Sequence, residues 1–123
     1  MTRAALIQTI SVALLAGCGT RIESQVERVA GGDARRGRIA LERHDCGVCH
    51  VIPGVRGAPG VVGPSLKDFA HRPNLAGKFA RGEENIIRWI IDPPAMAPHT
   101  AMPAVGVSEA EARDMAAYLL TLR

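Results

Sequence analysis

The residues best suited to chemistry lie within five consecutive positions, Cys46-Gly47-Val48-Cys49-His50. Two thiols separated by two residues on a tight turn can reach the two vinyl groups along one edge of a porphyrin and form thioethers with them. The imidazole of the next residue can then turn onto the iron. This spacing is the attachment sequence of a c-type haem. It predicts that Cys46, Cys49 and His50 bind one haem covalently.

Two other chemistries use closely spaced cysteines. A thioredoxin-like redox pair needs a preceding strand and a βαβ neighbourhood. A structural zinc site needs four ligands in paired spacings. The chain has three cysteines and four histidines, with no second cysteine pair and no well-spaced histidine pair after His50. Both alternatives are weaker than haem attachment.

The third cysteine follows an N-terminal segment typical of export. Arg3 is its one early charge, and about thirteen uncharged and mostly apolar residues follow, fewer than the ~20 that a transmembrane helix needs. Leu15-Ala16-Gly17-Cys18 resembles the bacterial lipobox, in which the signal is removed before the cysteine and the thiol receives a diacylglycerol. We expect a signal peptide at 1–17 and a lipidated N-terminus and linker at 18–32. The protein would then be exported as a lipoprotein anchored to a membrane on the periplasmic side. An ordinary signal peptide with an incidental Cys18, or a permanent membrane anchor, is the alternative.

Composition limits the rest of the chain to one small domain that needs a cofactor. The 123 residues include only four aromatic side chains but 13 glycines and 8 prolines, which is a poor supply for a self-sufficient core. A buried porphyrin would make up the deficit. The residues expected to enclose it are Leu66, Phe69, Phe79, Trp89, Ile90 and Leu119. The net charge of +3 is mild and the arginines are interspersed with acids, so nucleic acid is not an expected partner.

Two helices are predicted in the first and middle parts of this domain. Asp33 can cap a helix that runs into Cys46, because small or apolar residues recur at every third or fourth position from 34 to 41. The apolar run at 84–91 predicts a largely buried helix of about two turns that the prolines at 93 and 94 stop. The rest of 51–106 is rich in proline and glycine and predicts loops. No strand is expected apart from short candidates such as Val61 and Val62.

A C-terminal helix is predicted after Ser108, which can form a capping box with Glu111. Its apolar stripe needs a partner. Gly37 leaves a notch on the first helix, so we expect the two terminal helices to cross there, with Tyr118 or Met115 filling the notch. The polar positions expected to face water are Glu109, Arg113 and Asp114.

Together these motifs closely resemble those of class I cytochromes c, over residues 33–123. The matching features are the first helix, Cys-x-x-Cys-His, Gly63-Pro64-Ser65-Leu66, Met102-Pro103 and a last helix with Ala-Tyr-Leu. The resemblance implies an all-α fold in which the N- and C-terminal helices cross and the loops wrap around one covalently bound haem. More narrowly, the chain looks like the cytochrome domain fused to subunit II of caa3-type oxidases, here without a preceding cupredoxin domain or copper ligands.

The resemblance also implies roles for individual residues. Pro64 would accept a hydrogen bond from the free ring N–H of His50 and so strengthen that ligand, where the alternative is a turn proline. Arg72 and the Trp89 indole would bind a haem propionate, where the alternatives are a solvated arginine and a tryptophan packed in the core. Met102 would be the sixth ligand of the iron. The other candidates for that position are Met96, Met115 and His99.

These roles predict an electron carrier rather than an enzyme. With His50 and Met102 on the iron, nothing small can bind without displacing a ligand, so one-electron transfer in a bacterial respiratory chain is the expected function. Redox proteins such as a terminal oxidase or a quinol-oxidising complex are the expected partners. The main alternative is a haem subunit of a respiratory oxidase or dehydrogenase complex. A small peroxidase or a gas sensor would need an open sixth position.

Overall fold

Four α-helices provide most of the regular structure in residues 28–123, the part of the chain that the computed structural model describes. They are α1 (Ala34–Arg43), α2 (Glu83–Ile91), α3 (Pro93–Met96) and α4 (Glu109–Leu119). Single 3₁₀ turns occupy Cys46–Val48 and Phe69–His71, and β1 (Asn74–Leu75) pairs with β2 (Phe79–Ala80) in a small antiparallel hairpin. The predicted signal peptide, Cys18 and most of the linker lie outside the described residues.

The helix ends follow from local chemistry. The Asp33 carboxylate accepts the Arg36 backbone N–H at 2.9 Å, which caps α1 as predicted. α1 ends at Arg43 rather than running into Cys46, because Asp45 has a left-handed backbone with φ of 54°. The predicted capping box of α4 is present, with Ser108 and Glu111 each satisfying a backbone N–H of the other.

The core lies where α1 crosses α4, and the predicted crossing at Gly37 is confirmed. A Cβ on Gly37 would overlap the backbone carbonyl of Asp114, so only glycine permits this approach. Ala40 and Leu41 of α1 are buried beside the crossing, and Met115 of α4 is fully buried. α2 packs against α4 with its own buried side chains Ile86, Ile87 and Ile90.

Two details of the predicted crossing are wrong. The α4 backbone fills the notch, rather than Tyr118 or Met115, and the Tyr118 hydroxyl instead donates to the Pro53 carbonyl at 2.7 Å. Asp114 does not face water, since only 8% of it is exposed. Its carboxylate accepts the Asp33 backbone N–H at 2.7 Å and two bonds from the Arg36 guanidinium at 2.7 and 2.9 Å. These bonds hold the pKa of Asp114 below its usual value.

Sequence reasoning missed the hairpin and the short helix α3, which both lie in the region predicted as loops. Each strand has two residues, too few to show alternation, and Val61 and Val62 do not form a strand. Its turn has positive φ at Ala76 (49°) and Gly77 (70°), a type I′ conformation that Asn-Gly or Asp-Gly normally signals. Alanine at the first position hides that signal.

The last residues of the predicted linker already belong to the packed structure. Val29 is buried, and its carbonyl accepts the Gly32 backbone N–H at 3.1 Å in a tight turn. A Cβ on Gly32 would lie 2.8 Å from the Arg113 carbonyl oxygen of α4. The chain therefore joins the domain beside α4, at the N-terminal end of α1.

Candidate haem site

The two cysteines of the motif lie on one tight turn directly after α1. The backbone N–H groups of Cys49 and His50 both donate to the Cys46 carbonyl, at 3.3 and 3.1 Å. Neither thiol forms a disulfide with another described residue, and both cysteines are half-buried. Burial raises the pKa of the Cys46 thiol, whereas a thioredoxin-like nucleophile requires a lowered one. The turn fits thioether attachment better than redox exchange between the thiols.

The His50 imidazole is fixed by a hydrogen bond to the loop that follows. Its Nδ1 lies 2.7 Å from the Pro64 carbonyl oxygen, which can only accept. Nδ1 must therefore carry a proton, and in the neutral imidazole Nε2 keeps the lone pair that binds a metal. The donor set thus fits a haem iron, with two thiols for the porphyrin edge and one oriented neutral imidazole. The Pro64 contact expected from the resemblance is present.

Glycines let this loop lie directly against the attachment turn. A Cβ on Gly63 would meet the His50 ring, and a Cβ on Gly47 would meet Ala58. The backbone N–H of Gly63 donates to the Cys49 carbonyl at 2.8 Å. The loop therefore supports the imidazole by its backbone at Gly63 and by the Pro64 carbonyl next to it.

Arg72 binds this same loop, which the sequence did not suggest. One nitrogen of its guanidinium donates to the carbonyls of Ser65 and of Lys67, the latter at 3.1 Å. The group also lies 5.9 Å from the centre of the Phe69 ring. Arg72 therefore holds the segment that carries the Pro64 carbonyl. Its contact with a propionate stays a prediction.

The residues expected to enclose the haem fall into two groups. Phe69, Ile90 and Leu119 are buried in the protein core, whereas Leu66, Phe79 and Trp89 are half-buried and pack against it. The rings of Phe79 and Trp89 are 6.0 Å apart at an interplanar angle of 45°. Trp89 therefore packs against Phe79 at the edge of the core. The hydrogen bond from the Trp89 indole to a haem propionate stays a prediction.

The four candidates for the sixth ligand differ in burial. Met115 is fully buried in the α1–α4 core, as predicted. Met96 is the last residue of α3 and is half-buried, while His99 is exposed. Met102 is half-buried, and its backbone N–H donates to the Thr100 hydroxyl at 3.2 Å.

Within residues 28–123 there is no group of three or more His, Cys, Asp or Glu side chains placed to hold a metal ion. Over the same residues, every helix is too short or too polar to cross a lipid bilayer.

Comparisons with known proteins identify the family of the chain. Residues 34–123 match the protein-family profile described as cytochrome c. The chain is 31% identical over 103 residues to cytochrome c oxidase subunit 2 of Alkalihalophilus pseudofirmus, covering 83% of this chain but 29% of that one. It is 28% identical over 102 residues to cytochrome c-552 of Bradyrhizobium diazoefficiens, covering 83% of this chain and 86% of that one. Cytochrome c2 of Rhodobacter sphaeroides shares the fold, with a TM-score of 0.55 at 22% identity over 74% of this chain and 96% of that one.

The chain belongs to the cytochrome c family, and its fold is that of class I cytochromes c. Its cofactor is covalently bound haem c, for which Cys46 and Cys49 stand in the attachment motif. Its relatives support an electron carrier. The chain spans less than a third of the oxidase subunit that it matches.

Proposed function

We propose that this chain carries single electrons in a bacterial respiratory chain, with His50 and Met102 as axial ligands and a lipid on Cys18 as its membrane tether. When bound, the haem supplies a reversible one-electron change at its iron. The observation that carries the proposal is the 2.7 Å contact between His50 Nδ1 and the Pro64 carbonyl. This contact fixes the tautomer in which Nε2 is free to bind iron, and it makes the imidazole a stronger donor.

Met102 is the sixth ligand in this proposal. It lies in a loop immediately before Pro103, whose ring restricts the backbone and helps to hold the side chain in place. Its half-buried position contrasts with the exposed His99. A thioether is a soft ligand that favours iron(II) and raises the potential, whereas a second imidazole would lower it.

The ligand is tested by replacing each candidate in turn. Met102→Ala is expected to abolish the weak sulfur-to-iron charge-transfer band, lower the reduction potential and open the iron to carbon monoxide. Met96→Ala is the matched control, since it removes a half-buried thioether from the same region. The same changes in Met96→Ala but not in Met102→Ala would identify Met96 as the sixth ligand. Rapid binding of carbon monoxide to the unaltered protein would contradict a carrier with two filled axial positions.

The tether is tested by the partitioning of the protein. The chain with Cys18 is expected in the detergent phase. It is expected in the aqueous phase after Cys18→Ala, or when it is expressed from residue 19 behind another signal. One acyl chain binds membranes only marginally, at ~0.8 kcal/mol per buried methylene, so the several chains of a lipoprotein are needed for stable anchoring. Detergent partitioning that persists without the cysteine would refute a lipid anchor.

An oxidase is the partner best supported, because two relatives are named cytochrome c oxidase subunit 2. The same names favour a second candidate function, a haem subunit held permanently in an oxidase complex. Gentle solubilisation of membranes followed by size-exclusion chromatography separates the two functions. A carrier elutes alone, whereas a subunit elutes with the complex and its metal centres.

A further inference from the structure

The side of α1 that faces away from α4 combines positive charge with one exposed apolar side chain. Arg35, Ile39 and Glu42 are three or four positions apart and lie opposite the buried residues of the helix, with Arg38 beside them. Ile39 is 50% exposed, although it is a large apolar side chain. We call Arg35, Arg38, Ile39 and Glu42, together with Arg56, the α1 outer face.

Glu42 is the one acid of this face, and two arginines neutralise it. The Arg56 guanidinium donates to the Glu42 carboxylate at 2.9 and 2.7 Å. Arg38 approaches the same carboxylate at 3.6 Å. Within residues 28–123, Arg35 has no ion-pair partner. Three arginines against one glutamate leave the α1 outer face with a clear excess of positive charge.

The net charge of the domain is concentrated in this one helix. The ten residues of α1 contain four arginines and one glutamate, whereas residues 44–123 contain eight basic and eight acidic side chains. Two of the four arginines turn towards α4, where Arg36 pairs with Asp114 and Arg43 pairs with Glu111. The other two lie on the α1 outer face, which is therefore the side of the helix that can attract an anionic partner.

The linker joins the domain next to this helix. Val29 is buried against the domain, five positions before α1 begins. Residues 18–28 contain two arginines and two glutamates, so the charges of the linker cancel. Eleven residues lead from Cys18 to Val29, and a chain of that length spans at most about 40 Å. A lipid on Cys18 would therefore hold the N-terminal end of α1 within about 40 Å of the bilayer.

We propose that the α1 outer face is the surface by which the tethered domain lies on an anionic phospholipid bilayer. The inference rests on the proposed lipid tether at Cys18 and adds the part of the domain that contacts the membrane. Its arginines would bind the phosphates of the headgroups, and each basic side chain near an anionic bilayer strengthens binding by about fivefold. Ile39 would enter the boundary between headgroups and acyl chains, as the apolar residues of interfacial helices do.

An acidic face of a partner protein is the other occupant that fits the charge of this face. It fits Ile39 less well, because it would set an apolar side chain among hydrated carboxylates. The tether also keeps the bilayer close at all times, whereas a protein must be met by diffusion. A second copy of the chain would bring arginines against arginines. The combination of charge, isoleucine and tether therefore selects the bilayer.

The test uses the haem-loaded full chain with a nitroxide spin label at Ile39→Cys. Haem and lipid occupy the three natural cysteines, so the new thiol alone takes the label. The protein is reconstituted with vesicles of phosphatidylcholine, with or without phosphatidylglycerol as the anionic lipid, and flotation reports whether it is bound. The accessibility of the label to oxygen and to a water-soluble nickel complex reports whether position 39 lies in lipid or in water.

On anionic vesicles the label at position 39 is expected to be shielded from the nickel complex and accessible to oxygen. This contact should weaken as salt rises from about 0.05 to 0.5 M. On phosphatidylcholine alone the label should stay in water. Val105→Cys is the matched control, because Val105 is an apolar residue of similar exposure, 45%, outside the α1 outer face. A label there should stay in water on both kinds of vesicle.

Two charge reversals separate the α1 outer face from the overall charge of the protein. Arg35→Glu is expected to lower the ratio of membrane-seated to free domains by about 25-fold on anionic vesicles, because it changes two units of charge at the contact. Arg88→Glu makes the same change at an exposed arginine of α2 and should leave the shielding of the label at position 39 unchanged. Visible spectra and thermal unfolding establish that each variant is folded.

The outcomes distinguish failure of the membrane contact from failure of the tether. Flotation with both kinds of vesicle while the label at position 39 stays in water would overturn the contact and leave the tether intact. Flotation with anionic vesicles alone would overturn the tether, and a shielded label would still support the contact. Equal losses in Arg35→Glu and Arg88→Glu would refute the assigned face. A label that stays in water on vesicles but is immobilised in native membranes would assign the face to a protein partner and refute the bilayer.

Discussion

Replacing Gly37 with alanine is expected to destabilise the folded protein by about 2 kcal/mol, although alanine is the better helix former. A Cβ at this position would overlap the Asp114 carbonyl and lie 2.9 Å from the Met115 backbone nitrogen. These are backbone atoms of α4, which cannot rotate away as a side chain can. The two helices must therefore separate, and they would strain the bonds between Arg36 and Asp114 as they do so.

The magnitude follows from two opposing effects. Overpacking of a tight core costs typically about 1–3 kcal/mol, and a collision with backbone belongs at the upper end of that range. Alanine regains about 0.8–1.0 kcal/mol through its better helix propensity. The net loss of about 2 kcal/mol corresponds to a Tm lower by about 8–16 °C for a domain of this size.

The assay is thermal and guanidinium unfolding of the haem-loaded protein, followed by far-UV circular dichroism. Ile39→Ala and Ile39→Gly calibrate helix propensity at an exposed position of the same helix, where alanine should be the more stable. At position 37 the order should reverse, with glycine the more stable. A Gly37→Ala protein as stable as the original would refute the close crossing.

Two further predictions concern the other contacts of α4. Hydrogen bonds from the Ser108 hydroxyl, from the Ser108 backbone N–H and from His44 lower the pKa of the Glu111 carboxyl from 4.5 to about 2. A lowered pKa in the folded state adds stability that is complete above pH about 4.5 and is lost as pH falls towards 2. The free energy of unfolding of the unaltered protein should therefore exceed that of Glu111→Gln by an amount that shrinks across this pH window. A difference that does not change with pH would contradict the prediction. Tyr118→Phe should lower the free energy of unfolding by about 1 kcal/mol in chemical denaturation, because it leaves the Pro53 carbonyl without its hydrogen-bond donor. An unchanged unfolding midpoint would show that water replaces the hydroxyl.

Local sequence signals predict the parts of this fold that local chemistry decides. Asp33 and Ser108 mark helix starts because their side chains satisfy nearby backbone groups. The Cys46–His50 spacing identifies the cofactor because a porphyrin edge fixes it. Gly37 reveals the crossing because few other reasons place glycine within an amphipathic helix.

The contacts of Asp114 and Arg72 were missed because their partners are distant in sequence or are backbone groups, which every residue type has. Asp114 reads as a water-facing residue on its own helix, and its partner Arg36 is 78 positions away. Arg72 reads as a surface charge or a propionate partner, because nothing in the sequence shows that backbone carbonyls of Ser65 and Lys67 face it. When a side chain binds backbone carbonyls, the sequence contains no complementary side chain that would indicate the contact.

The pairing of α1 with α4 has a consequence for the order of events during synthesis. The attachment turn leaves the ribosome about 60 residues before α4, and at about 5–20 residues per second this is an interval of roughly 3–12 s. During that interval α1 has no partner, and the domain cannot close around its core. The two thiols are therefore made several seconds before the helix that completes the core, so a newly made chain presents both of them before the domain closes.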